Sequence, residues 1–135
     1  IATGGALMIF GANRDLLEVA AYFMEFFIEE SCGYCTPCRV GNVLLKQRLE
    51  TIMEGKGEPA DLTYLEELGT VIKSTSRCGL GQTSPNPVLS TLKNFRPAYE
   101  ALVKEDQPFQ PTFDIQKALG EAKAIAGRPS MHFAE

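Results

Sequence analysis

From residue 16 to residue 28 the chain reads Leu-Leu-Glu-Val-Ala-Ala-Tyr-Phe-Met-Glu-Phe-Phe-Ile, polar only at Glu18 and Glu25, which stand seven apart on one helical face. A helix this apolar is expected to be covered on most of its sides, and Asn13 and Asp15 just ahead of it supply capping side chains. A second helix is expected from Cys38 to Met53, with Val40, Val43, Leu44, Leu49, Ile52 and Met53 inward and Lys46, Gln47 and Glu50 outward. Gly55 and Gly57 close it, because glycine accepts the left-handed conformation that follows a helix C-terminus. For a third helix Asp61 and Thr63 are alternative caps, Thr63 standing three residues before Glu66. Its apolar set is Leu62, Leu65, Leu68, Val71 and Ile72, and the polar run 73–77 breaks the pattern. Ser84-Pro-Asn-Pro87 then reads as a turn, with Asn86 capping and Pro87 in the first helical position. Val88, Leu92, Phe95, Tyr99 and Leu102 follow at spacings of four and three. Pro97 inside that run calls for a kink or an early stop.

Four amphipathic helices joined by short connections make the expected fold all-α, an antiparallel four-helix bundle. The one strand signal is Ala6-Leu-Met-Ile-Phe10, a short N-terminal strand remnant of an upstream domain. The chain accordingly divides into residues 1–12, a helical bundle over 13–104, and a linker and C-terminal helical tail over 105–135. Two prolines in Gln107-Pro-Phe-Gln-Pro111 deny helix there. Asp114 then caps a short helix with Ile115, Leu119, Ala122 and Ile125 along one side, closed by Gly127 and Pro129. So narrow a face is expected to dock on a partner or on the bundle. No internal repeat is present.

With 135 residues, one domain plus tails is the expected size, and 44% hydrophobic against 22% charged residues is enough to bury a core and exclude wholesale disorder. Thirteen basic against 17 acidic residues, net −4, argue against a surface that neutralises phosphate backbones, so nucleic acid is not an expected partner. The apolar stretch 16–28 is too short to cross a bilayer, and direct membrane insertion is not expected. The first residue is Ile1 and no basic stretch precedes the apolar residues, so the start is read as a cut end of something longer and not as a secretory signal.

All four cysteines fall into one pattern. Cys32, Cys35 and Cys38 form a C-x2-C-x2-C loop, and Cys78 follows forty positions later. Three thiolates in seven residues bend the chain round one object. Zinc sites more often use two separated pairs of ligands, whereas a cubane offers three corners to a tight loop and one to a distant ligand. The asymmetry favours a [4Fe–4S] cluster held by Cys32, Cys35, Cys38 and Cys78. A structural zinc, in a metal-stapled subunit-interaction module without redox activity, is the alternative, and two disulfides are a third reading.

Such a cluster is anionic, so donors and positive charge should surround it. Gly33 would let backbone amides approach the sulfides, Cys38 would sit in the first turn of a helix, and Arg39 and Arg77 each flank a ligand. Gly79 and Gly81 would give the loop of the fourth ligand conformational freedom. Tyr34 and Thr36 read as loop residues, although Thr36 could donate to a sulfide. Glu29 and Glu30 read as a solvated helix end, and the sole histidine, His132, as a surface residue. No Gly-x-Gly-x-x-Gly follows a strand, no Walker loop exists and no nucleophile–base set can be assembled, so this segment alone is not expected to bind nucleotide or to be catalytic.

The string Glu30-Ser-Cys-Gly-Tyr-Cys-Thr-Pro-Cys-Arg-Val-Gly41 closely resembles the E-S-C-G-x-C-x-P-C-R-x-G signature of the NADH- and flavin-binding subunit of respiratory complex I and its relatives, the diaphorase subunits of soluble NAD-reducing hydrogenases and the beta subunits of NAD-dependent formate dehydrogenases. The likeness covers roughly residues 1–104. It implies that Cys32, Cys35, Cys38 and Cys78 are the [4Fe–4S] ligands and that residues 1–12 are the end of a ubiquitin-like domain. It further implies an absent upstream domain holding FMN and NAD(H), and a partner iron–sulfur subunit to which single electrons pass, in a cytoplasmic multisubunit oxidoreductase of the NADH dehydrogenase or diaphorase type. Complex I members tend to carry Phe-Cys-Pro-Leu at the fourth ligand and a later Trp-Pro. This chain reads Arg77-Cys-Gly-Leu80 and has no tryptophan, which together with its tail resembles the hydrogenase and formate dehydrogenase branch more.

Overall fold

The computed structural model describes residues 7–105 and 118–127. Seven helices occupy them: α1 (Leu16–Glu29), α2 (Thr36–Met53), α3 (Pro59–Thr75), α4 (Gly79–Thr83), α5 (Asn86–Asn94), α6 (Arg96–Glu100) and α7 (Gly120–Ala126). α1, α2, α3 and α5 are the four walls of the bundle. α1 packs on α2, α2 on α3, α3 on α5, and α5 returns to α1. Short connections make successive walls run back along one another, so the α1–α2 and α3–α5 connections, which carry the cysteines, share one end of the bundle.

Asp15 caps α1 through its carboxylate, which accepts the Leu17 and Glu18 N–H groups at 2.8 and 3.1 Å. At the far end of α2, Gly55 takes φ +73, its N–H donates to the Ile52 carbonyl at 3.0 Å, and the Lys56 N–H reaches the Thr51 carbonyl at 3.1 Å. This pair of bonds is the Schellman closure that the glycine pattern calls for. α3 starts earlier than expected, at Pro59, and neither Asp61 nor Thr63 is its cap. The Asp61 carboxylate instead reaches back to accept the Glu58 N–H at 2.9 Å, and its other oxygen accepts from Arg48 of α2 at 3.0 Å. α3 also runs through Lys73, Ser74 and Thr75. The Ser74 and Thr75 hydroxyls donate to the Thr70 and Val71 carbonyls at 2.9 and 2.6 Å, so these polar side chains are satisfied without leaving the helix.

Leu17, Ala20, Met24, Leu45, Leu49, Ile52, Leu62, Leu65, Ile72, Val88, Leu92 and Tyr99 form the core. The inner face of α2 departs from the expected one in its first half, where Cys38, Gly41, Asn42 and Leu45 are buried and Val40 and Leu44 exposed; Leu49 and Ile52 are buried as expected, and Met53 is exposed. α1 is exposed along a single stripe, Glu18, Tyr22, Phe26 and Glu29, and its other positions are buried or half-buried, so it is covered on most of its sides as expected. Asn86 is the first residue of α5, after Pro85 as N-cap, and its carboxamide oxygen accepts from Lys73 Nζ at 3.0 Å. The fourth run breaks at Phe95 (φ −130, ψ 35) and restarts as α6, with Pro97 in the first turn where its missing N–H costs no helical bond. Tyr99 is wholly buried, and its hydroxyl shares a 2.7 Å hydrogen bond with Thr91.

Residues 7–10 form no strand and are exposed. An isolated extended segment has no ladder to satisfy its backbone, and among the described residues the one bridge joins Gly57 and Val103. In the tail, α7 ends at Gly127 with φ +63, as expected, whereas Leu119, expected within the helix, is its N-cap. None of its residues is buried, Ile125 being 89% exposed, so it shows no docked face. The expected features at Ala6, residues 107–111, Asp114, Ile115, Pro129 and His132 lie outside the described residues.

Candidate metal centre

The first cysteine loop is a tight reversal between α1 and α2. Gly33 supplies the turn, with φ +72, a conformation that a side chain would strain. Its N–H donates to Ser31 Oγ at 3.2 Å. Arg39, in the first turn of α2, folds back over the loop. Its Nη1 donates to the Gly33 carbonyl at 2.6 Å and to that of Tyr34 at 3.5 Å, and Nη2 to Thr36 Oγ1 at 3.4 Å. The guanidinium therefore fixes loop backbone, while Thr36 is engaged with Arg39. α2 begins two residues before Cys38, with Cys35 as N-cap and Pro37 in its first turn. Glu29 and Glu30 are exposed.

The second cysteine string comes off the end of α3 and meets this loop. Cys78 is the N-cap of α4, a one-turn helix that the glycine-rich sequence does not advertise. Gly79 and Gly81 lie within that turn, and neither has a positive φ. Gly81 is needed for closeness: a Cβ there would stand 2.5 Å from Ser76 Oγ and 3.2 Å from Cys38 Cβ. The Arg77 guanidinium lies 5.2 Å from the centre of the Tyr34 ring, and Nη1 donates to the Tyr34 hydroxyl at 3.2 Å. Hydrogen bonding from the Arg77 backbone N–H is the largest influence holding the Cys35 thiol below its ordinary range, opposed by desolvation and assisted by the N–H groups of Cys38 and Cys35 and by the Arg77 charge.

All four cysteines are free thiols, Cys32 and Cys78 exposed, Cys35 half-buried and Cys38 buried. Two side chains address Cys38: Ser31 Oγ at 3.3 Å, and Asn42 Nδ2 at 3.5 Å from one turn further along α2. Asn42 Oδ1 accepts from Ser84 Oγ at 2.8 Å, which ties α2 to the segment after α4. Ser76 Oγ, beside Gly81, is buried without a hydrogen-bond partner. Asn42, Ser84 and Ser76 escape a reading centred on residues adjacent to the cysteines. The one signal in the sequence is Asn42 itself, a poor helix former placed four residues after a ligand-type cysteine on the same helical face.

Among the described residues no three Cys, His, Asp or Glu side chains are gathered to hold a single metal ion. The two cysteine strings meet at Tyr34 with Arg77 and at Cys38 with Gly81, and the hydroxyl and carboxamide bonded to Cys38 are donors that suit an anionic, thiolate-held iron–sulfur cluster.

Residues 18–102 match the family described as the NADH-ubiquinone oxidoreductase-F iron-sulfur binding region. The chain is 46% identical over 121 residues, 89% of its length, to the alpha subunit of the NAD-reducing hydrogenase HoxS of Cupriavidus necator, and spans 20% of that protein. It is 45% identical over 75% of its length to the NADP-reducing hydrogenase subunit HndC of Solidesulfovibrio fructosivorans, covering 21% of it. To the mitochondrial NADH dehydrogenase [ubiquinone] flavoprotein 1 of Dictyostelium discoideum the identity is 31% over 76% of the chain and 21% of the relative. A crystal structure of an NAD+-reducing [NiFe]-hydrogenase in the H2-reduced state aligns with a TM-score of 0.71 at 33% identity, over 95% of this chain and 23% of that one. The chain thus spans about a fifth to a quarter of these relatives.

Proposed function

Since the chain belongs to the NADH-ubiquinone oxidoreductase-F iron-sulfur binding region family, we propose that it is the one-electron relay of an NAD(H)-linked flavin and iron–sulfur oxidoreductase subunit, with Cys32, Cys35, Cys38 and Cys78 as ligands of one [4Fe–4S] cluster. When bound, the cluster supplies reversible uptake and release of single electrons. The observation that carries the reading is the meeting of the two cysteine strings, with Arg77 bonded to Tyr34 and Gly81 pressed against Cys38.

The chain's own residues have separable tasks. Gly33 and Arg39 shape the three-cysteine loop, the Arg77 N–H supports the thiolate form of Cys35, and Gly81 admits the fourth ligand's turn beside Cys38. Residues 13–104 are the cluster-bearing bundle, residues 1–12 the end of a ubiquitin-like domain, and residues 105–135 a linker and tail. FMN and NAD(H) belong to a domain upstream in the same subunit, and the electron acceptor is a partner iron–sulfur subunit, in the cytoplasm, where thiols stay reduced. No helix among the described residues is long and apolar enough to cross a membrane.

The test uses the whole subunit in its complex. Cys78→Ser should leave NADH-dependent bleaching of the flavin intact while abolishing electron delivery to the partner. Undiminished delivery from this variant would refute the relay.

A further inference from the structure

We propose that Asn42 sets the reduction potential of this centre by donating an N–H bond to the Cys38 thiolate, with Ser84 holding the amide in the donating orientation. The proposal rests on the reading of Cys38 as a ligand.

Asn42 and Ser84 are both 0% exposed, and Cys38 is buried beside them. A carboxamide in a bundle core costs stability unless its polar atoms are matched. Here each has one partner: Nδ2 faces Cys38 Sγ at 3.5 Å, and Oδ1 accepts from Ser84 Oγ at 2.8 Å. If the amide turned over, its oxygen would face a thiolate, and like polarity opposes that arrangement. The thiolate, which can only accept, decides the orientation, and Ser84 Oγ then anchors it by donating to Oδ1 at 2.8 Å, with the Gly81 carbonyl at 3.1 Å as its second acceptor. Without Ser84 the amide loses the anchor that aims its N–H at sulfur.

The remaining surroundings of Cys38 follow the same polarity. Ser31 Oγ already accepts the Gly33 N–H at 3.2 Å, and its own hydrogen is available to the sulfur 3.3 Å away. With a thiolate the serine must be the donor. An added electron makes a thiolate-held centre more negative, and a fixed donor on sulfur stabilises the reduced form more than the oxidised one. Hydrogen bonds to the sulfurs therefore raise the potential, and Asn42, inside the core and held at both ends, is the donor least able to swing away.

Asn42→Leu removes the donor at similar volume. Ser84→Ala leaves the donor but frees its orientation. Each chain is loaded anaerobically, its iron and sulfide are counted, its helicity is checked by circular dichroism, and its midpoint is measured by dye-mediated redox titration. Asn42→Leu should keep its iron and sulfide and shift the one-electron equilibrium about tenfold towards the oxidised form, the scale of one hydrogen bond to a charged acceptor. That is about 59 mV to lower potential. Ser84→Ala should move the midpoint in the same direction by less. A fully loaded Asn42→Leu chain with an unmoved midpoint overturns the proposal and leaves the ligand reading standing. If that variant does not load, an unmoved midpoint in Ser84→Ala overturns it instead. An unsubstituted chain that takes up no iron and sulfide defeats the ligand reading, and the proposal with it.

Discussion

Arg77 and Tyr34, 43 positions apart in sequence, clasp the two cysteine strings together, the guanidinium 5.2 Å from the ring centre and Nη1 donating to the phenolic oxygen at 3.2 Å. Tyr34 is 74% exposed, so the pair is solvent-screened and contributes about 0.5–1 kcal/mol. Its value lies in holding one ligand loop against the other. Tyr34→Ala should barely change the melting temperature of the bundle yet speed iron loss to a chelator severalfold, whereas Tyr34→Phe, which keeps the ring, should fall between. Equal chelation rates in all three chains would mean that the clasp holds nothing.

Gly41 of the cysteine signature serves packing. A Cβ there would lie 2.5 Å from Ile72 Cγ1 and 2.6 Å from its Cδ1, and Ile72 is fully buried on α3. Gly41→Ala should cost about 1–3 kcal/mol through overpacking, read by urea denaturation. Combining it with Ile72→Ala removes the clash, so the double variant should be less destabilised than the two single losses added together. Simple additivity would show that the two positions do not meet.

In the metal-free chain the Cys35 thiol ionises below the ordinary value of 9.0. Its thiolate, the reactive form, then persists to lower pH. Peptide-resolved alkylation should place its pH midpoint below that value, and unfolding in urea should raise it. Because the leading cause is a backbone N–H, Arg77→Ala should retain most of the shift and lose only the smaller contribution of the charge. A midpoint that does not move on unfolding would remove the assigned cause.

Asp61 serves two elements at once, accepting the Glu58 N–H at 2.9 Å and an Arg48 nitrogen at 3.0 Å. Asp61→Ala should destabilise the chain by about 1–2 kcal/mol, with Arg48→Ala costing less because the backbone bond survives. The same loss from both variants would show that the helix-start bond contributes nothing.

Local patterns carry much of the fold. The run ahead of Glu29, the Asp15 cap and the closure at Gly55 are written in consecutive residues, and each forms where expected. The inner face of α2 departs from its apolar pattern because Val40 and Leu44 are apolar yet exposed, while Gly41 and Asn42 face inward for reasons set by Ile72 and by Cys38 with Ser84. α4 has no signature in the sequence because five residues with two glycines have no helical propensity of their own, and tertiary contact makes the turn. At the site, the four cysteines stand out by spacing, whereas their supporting donors do not. Arg77 acts on Cys35 through its backbone, and Ser84 reaches Asn42 across 42 positions, neither of which a side-chain inventory shows.

On the proposed function, four thiols from two facing loops hold one cubane. Iron and acid-labile sulfide counted per chain after anaerobic assembly decide whether they do. About four of each should be found in the unsubstituted chain and far fewer in Cys78→Ser. One equivalent of zinc with no sulfide would contradict it.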